Sequence, residues 1–395
     1  MLRIPINERP HWPQLANEVG FKFHTINGER YWDERAYYQF SLAQIENDLE
    51  APTEEIHQMC LEVVDRVVRD EQLLTKFAIP KAYWQWIYDS WQRKDPSLYS
   101  RLDFAYDGTG PAKLYENNAD TPTSLYETGY WQWLWLEEQV DAGLLPKRTD
   151  QFNGLQEALI RRFATIERQV SGAYGLHNRL LVHFASCKDT EEDRGTVQYL
   201  EDCAREAGIV PKFIYVEDIG LNAKGQFVDL DGVNIEHIFK LYPWEFMFRE
   251  TYGEALLTSK TQYIEPPWKS VLSNKALLPM LWRYFPNHPN LLPAFFEGEV
   301  LPDASHGWIK KPIFSREGAN IAHVNGDKEA VLSVGPYGEE GYILQKAHYL
   351  PQFGQNHTLI GSWLVDGVAA GISIREDHSA ITQDSSRYLP HVIID

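Results

Sequence analysis

Between Arg101 and Thr123 the sequence RLDFAYDGTGPAKLYENNADTPT brings one arginine and several oxygen-bearing side chains close together along the chain. Apolar and polar residues alternate on both sides of the segment DGTGP, which breaks a helix and favours a tight turn. We therefore predict a β-hairpin. An arginine and carboxylate and amide oxygens on one hairpin are the groups that a magnesium-nucleotide site requires.

The register of this hairpin decides which side chains meet. Because side chains alternate between the two faces of a strand, a turn centred near Thr109 sets Asp103 opposite Glu116, and Arg101 opposite Asn118, on one face. Two adjacent carboxylates repel each other unless a cation lies between them. Oxygen ligands without cysteine or histidine suit Mg²⁺, and the arginine could hold a phosphate or carboxylate with two hydrogen bonds. An ordinary exposed hairpin with a cross-strand Arg–Glu ion pair is the alternative.

Three segments in the C-terminal half carry cations that could bind an anion. Lys275 lies near the start of a predicted helix, where the helix dipole disfavours a cation unless an anion compensates it. Lys311 lies in the predicted strand WIKKPIF, and Arg316 and Gly318 follow in the loop SREGAN. A strand lysine and a glycine-bearing loop can hold phosphate. Arg375 ends the predicted strand GVAAGISIR. Taken alone, each of these cations could simply be exposed to solvent or paired with neighbouring acids.

Two adjacent acids, Glu191 and Glu192, lie in the segment DTEED at the predicted start of a helix. Acids are common in the first turn of a helix because they compensate the helix dipole, and this is the more frequent role. The functional alternative is that one or both bind an ammonium group.

The elements that must position these residues follow from hydrophobic periodicity. Residues 52–70 predict an amphipathic helix, and a second helix is predicted from Ser124 to Ala142, behind the cap-like sequence TPTS. Residues 179–219 alternate strand, loop, helix and strand, which is typical of a βαβ unit, and residues 220–233 carry two turn signals of a small β excursion. From residue 307 onward the pattern predicts an antiparallel sheet with hairpins.

Composition narrows the class of protein. The chain has 395 residues, which is long enough for two or three domains, and 44% of its residues are hydrophobic, which is enough for sizeable cores. A formal net charge of −19 disfavours nucleic acids and anionic membranes as partners. No signal-peptide core, membrane-spanning stretch or CxxC spacing is present, so we expect a cytoplasmic protein with neither disulfide framework nor zinc site. The sequence does not determine the oligomeric state.

The chain resembles the synthetase domain of the glutathionylspermidine synthase family, a group of ATP-grasp ligases, through seven motifs in the same order: RLDF, YENNADTPTS, DTEED, KLYPWE, SNKALLPMLW, KKPIFSREGANI and GISIRED. The resemblance covers nearly the whole chain and is nearest to single-domain bacterial members described as acid–amine ligases. It implies a reaction in which a carboxylate attacks the γ-phosphate of ATP and an amine then displaces phosphate to form an amide. Nothing in the chain resembles the amidase domain of bifunctional members, so we expect synthesis only.

The resemblance also implies a role for each candidate residue. Asp103, Glu116 and Asn118 match magnesium ligands, in agreement with the hairpin argument. Arg101 matches an arginine that contacts the phosphates and the acid substrate, and Gln345 matches the hinge that holds adenine.

The cationic residues match the phosphate-binding groups of the family. Lys275 and Lys311 match two lysines that hold ATP phosphates, Arg316 and Arg375 match arginines near the transferred phosphoryl group, and Gly318 lies in the phosphate loop. Lys310 is an alternative to its neighbour Lys311. Because strand side chains alternate, only one of the two lysines can face the nucleotide, and we select Lys311 because it directly precedes the proline.

The departures from the family concern the substrates. Two serines that contact the acid substrate align with Thr121 and Thr123, and a threonine near the tryptophan motif aligns with Leu241. The loss of a hydroxyl contact at Leu241 can change the preferred acid, which puts glutathione in doubt. Glu191 and Glu192 are retained, so recognition of an amino group remains a hypothesis.

Together these arguments predict an α+β protein with ATP-grasp-like antiparallel sheets and an inserted α/β subdomain. Residues 1–150 would hold the N-terminal helical segment and the metal-binding hairpin, residues 151–300 the substrate-binding α/β subdomain and connecting helices, and residues 301–395 the ATP-binding sheet. The expected function is an ATP- and Mg²⁺-dependent ligation of a peptide-like carboxylate to a polyamine-like amine. The alternatives are a non-catalytic nucleotide-binding protein and a glycoside hydrolase.

Overall fold

The computed structural model describes residues 1–174, 179–303, 307–316, 318–326, 328–379 and 386–394. It is a mixed α/β structure in which the strands form several separate sheets, and most of these sheets are antiparallel. In chain order the strands are β1 Leu2–Pro5, β2 Thr25–Ile26, β3 Glu29–Arg30, β4 Ala36–Phe40, β5 Tyr99–Ala105, β6 Lys113–Asn118, β7 Leu181–Ser186, β8 Val210–Tyr215, β9 Gly220–Leu221, β10 Phe227–Val228, β11 His237–Lys240, β12 Gln262–Ile264, β13 Ala294–Phe296, β14 Trp308–Pro312, β15 Ala322–Asn325, β16 Lys328–Val331, β17 Tyr342–Lys346, β18 Gln352–Phe353, β19 Asn356–Val365, β20 Val368–Asp377, β21 Arg387–Leu389 and β22 His391–Ile393.

The helices lie between and around these sheets. They are α1 Trp12–Glu18, α2 Ala51–Val67, α3 Glu71–Lys76, α4 Trp84–Arg93, α5 Gln132–Asp141, α6 Leu155–Tyr174, α7 Glu191–Glu206, α8 Trp244–Met247, α9 Ala255–Thr258, α10 Lys269–Leu272 and α11 Leu277–Tyr284. Two π-helical segments, Gln44–Glu50 and Glu127–Trp131, lead directly into α2 and α5. Within the described part of the chain, no helix is both long and apolar enough to cross a membrane.

The predicted hairpin is confirmed and forms part of a six-stranded antiparallel sheet. Strands β5 and β6 pair with each other, and β5 also pairs with β19, so the sheet runs in the order β21, β20, β19, β5, β6, with β18 on β19. Strand β19 is largely buried over its ten residues, because it lies between two neighbouring strands and beneath α2. The site hairpin is therefore supported by strands from the C-terminal end of the chain.

The C-terminal strands do not form the single sheet that the sequence predicts. Strands β14 to β17 form a five-stranded antiparallel sheet with β13, β18 to β21 join the hairpin, and β22 pairs with β4. Alternation of side chains predicts that a strand exists but not which distant strand it pairs with. The six-stranded sheet joins residues of the first and third predicted parts of the chain, and the three-part division itself stays a prediction.

The predicted βαβ unit is confirmed in the middle of the chain. Strands β7 and β8 are parallel, α7 packs against both, and β11 and β12 extend them into a four-stranded parallel sheet. The predicted β excursion is the short hairpin of β9 and β10. This parallel sheet carries α7 so that the first turn of the helix faces the candidate site.

The predicted amphipathic helix is α2, and it anchors the largest hydrophobic core. Its apolar face buries Ile56, Met59, Cys60 and Val63 against α10, α11, β19 and β20. Burial of each large aliphatic side chain stabilises the fold by roughly 1.5–3 kcal/mol. The helix therefore fixes the back of the sheet whose front carries the hairpin.

Candidate active site between two sheets

The hairpin has the register that the sequence predicts. Arg101 lies opposite Asn118, and Asp103 lies opposite Glu116, with a bulge directly after Asp103. Arg101 and Asp103 are buried, with 6% and 2% of their surface exposed. This burial excludes the alternative of an ordinary exposed hairpin.

Arg101 is held rigidly within the site by its neighbours. Its Nε and Nη2 atoms donate to the two carboxylate oxygens of Asp103 at 2.7 and 3.1 Å, and Nη1 donates to the backbone oxygen of Thr123 at 3.2 Å. Burial opposes the positive charge, but Asp103 outweighs it, and the pKa of Arg101 is raised. The guanidinium is thus a fixed cation in the wall of the site.

Glu116 joins the hairpin to the C-terminal half of the chain. Its Oε2 atom lies 2.9 Å from Nζ of Lys275, which also donates to the backbone oxygen of Ser315 at 2.9 Å. Although burial raises the pKa of Glu116, Lys275 and Lys311 together lower it to about 2. The carboxylate is therefore ionised over the whole physiological range.

The residues on this face fit a magnesium ion. Asp103, Glu116 and Asn118 supply hard oxygen donors, and Nδ2 of Asn118 lies 3.0 Å from Asp103 and 3.4 Å from Glu116. Rotation of the Asn118 amide by half a turn would point its oxygen towards the space between both carboxylates. No group of three carboxylate, imidazole or thiol side chains that could hold a metal occurs in the described ranges. The remaining ligands would be water and phosphate oxygens, as is usual for Mg²⁺.

The two adjacent lysines of β14 face opposite sides of their sheet. Nζ of Lys311 donates to Oε1 of Gln345 at 2.7 Å, whereas Lys310 lies 3.1 Å from Glu297 and 3.4 Å from Glu329. Burial, followed by the nearby Lys275, lowers the pKa of Lys311 to about 8, although Glu116 opposes the shift. The lysine that the sequence argument selects is therefore the one that points towards the hairpin.

Two cavities meet at the hairpin. The larger has a volume of about 810 Å³ and the smaller about 140 Å³, and both are lined by Glu116, Lys275, Ser315 and Gly318. All of the predicted site residues line one cavity or both. The larger contains Arg101, Asn118, Thr121, Thr123, Glu191, Glu192, Arg316 and Arg375, and the smaller contains Asp103, Lys311 and Gln345.

The smaller cavity is mostly apolar. Its walls include Tyr115, Ile309 and Leu350, beside the polar pair of Lys311 and Gln345. Gln345 is 2% exposed and also donates to the backbone oxygen of Leu114 at 3.1 Å. An apolar slot with one fixed amide and one cation has the character of a site for a flat heterocycle that carries phosphates.

Arg316, in the loop after β14, and Arg375, on β20, both line the larger cavity. Arg316 donates to Oγ1 of Thr121 at 2.6 Å and to Oε1 of Glu245 at 3.1 Å. The guanidinium of Arg375 lies 5.5 Å from the ring centre of Tyr388. For both arginines burial opposes the charge, but neighbouring groups, Glu245 and Tyr388 respectively, raise the pKa. The two arginines therefore converge with Lys275 on the larger cavity, whereas Lys311 lines the smaller one.

Glu191 and Glu192 are the first two residues of α7 and also line the larger cavity. Thr190 precedes the helix without a side-chain capping hydrogen bond. Oε1 of Glu192 accepts a hydrogen bond from the Tyr31 hydroxyl at 2.9 Å. The position of these acids is compatible with both predicted roles, since they lie in the first turn and face the cavity.

Several residues that shape the cavity were not predicted from the sequence. Asp120 is buried in an ion pair with Lys240 and accepts a hydrogen bond from the backbone of Trp244 at 2.8 Å. Glu245 orients Arg316. Both acids lie inside motifs that carry the resemblance, YENNADTPTS and KLYPWE, so their positions were a signal that could have identified them.

The sequence of the chain matches a known family. The family model for the glutathionylspermidine synthase preATP-grasp matches residues 3–394, and the chain belongs to this family. A protein of Haemophilus influenzae, provisionally described as an acid–amine ligase, is 40% identical over 398 residues, with 98% of each chain covered.

Two longer relatives have more specific descriptions. Trypanothione synthetase of Crithidia fasciculata is 30% identical over 83% of this chain and 52% of its own length. The bifunctional glutathionylspermidine synthetase/amidase of Escherichia coli is 29% identical over 91% of this chain and 60% of its own length. The match therefore leaves a large part of each of these two proteins uncovered.

Proposed function

We propose that this protein is an ATP- and Mg²⁺-dependent ligase that joins a carboxylate to an amine through an acyl phosphate. The observation that carries the proposal is the meeting of the two cavities at Glu116 and Lys275. The smaller cavity has the character of a nucleotide-binding slot. The larger cavity has cations that could bind phosphate and carboxylate groups, and acids that could bind an amine. Membership of the family and the descriptions of its relatives support the same reaction class.

The residues divide the chemistry between them. Lys311 and Lys275 would hold the ATP phosphates, and Gln345 would contact the adenine. Mg²⁺ held by the hairpin oxygens would neutralise phosphate charge. Arg316 and Arg375 would stabilise the negative charge of the transferred phosphoryl group, because phosphoryl transfer is catalysed mainly by positioning and electrostatics.

The acid substrate would lie against Arg101. One carboxylate oxygen attacks the γ-phosphorus and ADP leaves, so that an acyl phosphate forms. The neutral amine then attacks the acyl carbon and the bond from carbon to the phosphate oxygen breaks. The nitrogen loses one proton, which the departing phosphate takes up, so that the products are the amide and inorganic phosphate. Thr121 and Thr123 line the same cavity, and we propose that they contact the acid.

Glycoside hydrolysis requires a carboxylic acid with a raised pKa beside a second carboxylate. The hairpin pair does not offer one, because the pKa of Glu116 is lowered to about 2 and Asp103 accepts two hydrogen bonds from Arg101. The geometry therefore favours the ligase over this alternative.

The test is ADP release from MgATP across a matrix of carboxylates, including glutathione and short peptides, against amines, including spermidine and putrescine. We expect turnover only when one acid and one amine are present together. Lys311→Ala should abolish it, whereas the matched variant Lys310→Ala, on the opposite face of the same strand, should retain it. ATP binding without turnover for any pair would instead support a non-catalytic nucleotide-binding protein, and equal activity of the two variants would remove the assigned site.

A further inference from the structure

A third acid, Glu127, lies close to Tyr31 and Glu192, which both line the larger cavity. Glu127 is 1% exposed and begins the π-helical segment that leads into α5. Neither of its carboxylate oxygens accepts a well-aligned hydrogen bond from the residues that the structure describes, although the Tyr31 hydroxyl lies close enough to interact with the carboxyl group. An ionised carboxylate that is buried without partners is very costly, so this group must be neutral or must face a cation.

The hydroxyl of Tyr31 explains why Glu127 is left without a partner. Tyr31 has one proton to donate, and it donates this proton to Glu192 at 2.9 Å. Glu127 and Glu192 both act on the buried Tyr31 hydroxyl and raise its pKa, after burial itself. The Tyr31 hydroxyl therefore interacts with both carboxyl groups but donates its proton to Glu192 alone.

The charges around Glu127 come from several elements. Burial first, and Glu192 second, raise the pKa of Glu127 to about 8, against the opposing effects of Tyr31 and Arg101. Tyr388 stands beside Tyr31, with ring centres 5.0 Å apart, and its own pKa responds to both acids. Arg101 is already paired with Asp103, so it does not neutralise Glu127 directly.

We propose that Glu127 is a positioning residue that carries a proton while the cavity is empty and releases it when a cation binds to Glu192. In the empty state Glu127 is neutral, so Glu192 is not repelled by a second negative charge. In the bound state the cation compensates both carboxylates. The inference rests on the proposed function only in taking an amine as the ligand of Glu192.

A proton has a route out of this buried group. The Oε–H bond of Glu127 breaks and its proton passes to the Tyr31 oxygen, while the hydroxyl proton of Tyr31 passes to Glu192, which lines the cavity. Glu192 then gives one proton to solvent or to a base in the cavity. The result is one ionised Glu127, an unchanged Tyr31 and one released proton.

The direct test needs no substrate. The infrared absorption of protonated carboxyl groups is compared between pH 6 and pH 10 in the whole protein and in Glu127→Gln. We expect a carboxyl band that titrates near pH 8 and is missing from the variant. A wild-type spectrum identical to that of the variant would overturn the proposal, because Glu127 would then be ionised in the empty cavity.

A matched pair of variants tests the coupling. Glu192→Gln removes the neighbouring negative charge, so the midpoint of the Glu127 titration should move to lower pH. Glu191→Gln changes the adjacent acid in the same way but should leave the midpoint in place. Equal midpoints in both variants would overturn the sharing of the Tyr31 hydroxyl, and this measurement stays informative if Glu127→Gln fails to fold.

The effect on ligand binding is measured with spermidine. Because a cation favours ionised Glu127, spermidine affinity should rise with pH by up to tenfold per unit below the titration midpoint and then level off. Glu127→Gln should bind with the same affinity at each pH. A pH-independent wild-type affinity would overturn the linkage. If Glu127 titrates near pH 8 but spermidine does not bind, spermidine is not the ligand of Glu192, and the polyamine part of the proposed function fails. The protonation of Glu127 in the empty cavity would still stand.

Discussion

Two regions at the larger cavity differ in whether their charged side chains have partners of opposite charge. In the cationic region, defined by Arg101, Lys275 and Arg316, each cation lies against a carboxylate of the same site, namely Asp103, Glu116 or Glu245. In the acidic region, Glu191 and Glu192 line the cavity, the buried Glu127 lies near Glu192, and the Tyr31 hydroxyl donates to Glu192 alone. The first region is organised by its own ion pairs. The second has negative charge that a cationic ligand can compensate.

The difference suggests how the site would work. A phosphate or carboxylate entering the cationic region finds donors that are already oriented, because their partners hold them in place. An amine entering the acidic region supplies the charge that the region lacks. Variants should therefore disturb chemistry most in the first region and affinity or pH dependence most in the second.

The largest effect is expected for Glu116→Ala. This change removes a proposed metal ligand and the partner of Lys275, and ADP release should fall by roughly 10²- to 10³-fold, as when other preorganised electrostatic groups are removed. ADP release and thermal unfolding are measured together. The control is Glu62→Ala, which removes an exposed ion pair on α2 and should change neither. Unchanged turnover in Glu116→Ala would place the chemistry elsewhere.

Glu245→Gln should have the next largest effect. Its carboxylate orients Arg316, and loss of a charge-assisted hydrogen bond of about 1.4 kcal/mol would raise the KM of the acid substrate or lower kcat about tenfold. Steady-state kinetics with the acid varied measures the change. The exposed Glu254→Gln, at the start of α9, is the matched control. Identical kinetics for the two variants would show that Arg316 does not need its partner.

The pH dependence of ATP affinity separates Lys311 from the other cations. Since burial lowers the pKa of Lys311 to about 8, the lysine is charged below that pH and loses its charge as the pH rises. ATP affinity should therefore be constant at low pH and fall, by at most about tenfold per unit, above pH 8. Lys311→Arg stays charged and should bind ATP equally at pH 7 and pH 9. A wild type without this fall would contradict the proposed contact with phosphate.

The smallest effect is expected for Glu191→Gln, and it distinguishes the two roles of this exposed acid. If Glu191 contacts the amine, KM for the amine should rise severalfold, as for a partly exposed ion pair of about 1 kcal/mol. If it only compensates the dipole of α7, the free energy of unfolding should fall by about 0.3–1 kcal/mol while KM stays constant. We expect the first result, measured by amine-dependent ADP release and by urea unfolding.

The local parts of the site could be predicted from sequence because they depend on short-range rules. Alternation across a tight turn is enough to set Asp103 opposite Glu116, and the same rule separates Lys310 from Lys311. The pairing of β5 with β19 could not be predicted, because it joins segments far apart in sequence and no local pattern specifies such a partner.

Glu127 shows a second limit of sequence reasoning. In the segment YETGYW a glutamate within a predicted helix is expected on the exposed face. Its raised pKa depends on burial and on Glu192 in the first turn of α7, which comes from another part of the chain. Groups whose chemistry depends on such contacts are visible only after the fold is known.

In the proposed reaction, phosphoryl transfer within the larger cavity activates the carboxylate. The most direct test uses the acid identified in the substrate matrix, with ¹⁸O in its carboxylate, and mass analysis of the inorganic phosphate that is released. An acyl phosphate predicts one ¹⁸O atom transferred to each phosphate, because the bond from the acyl carbon to that oxygen breaks when the amine attacks. Phosphate without ¹⁸O, released at the same rate as amide product, would show that no acyl phosphate forms.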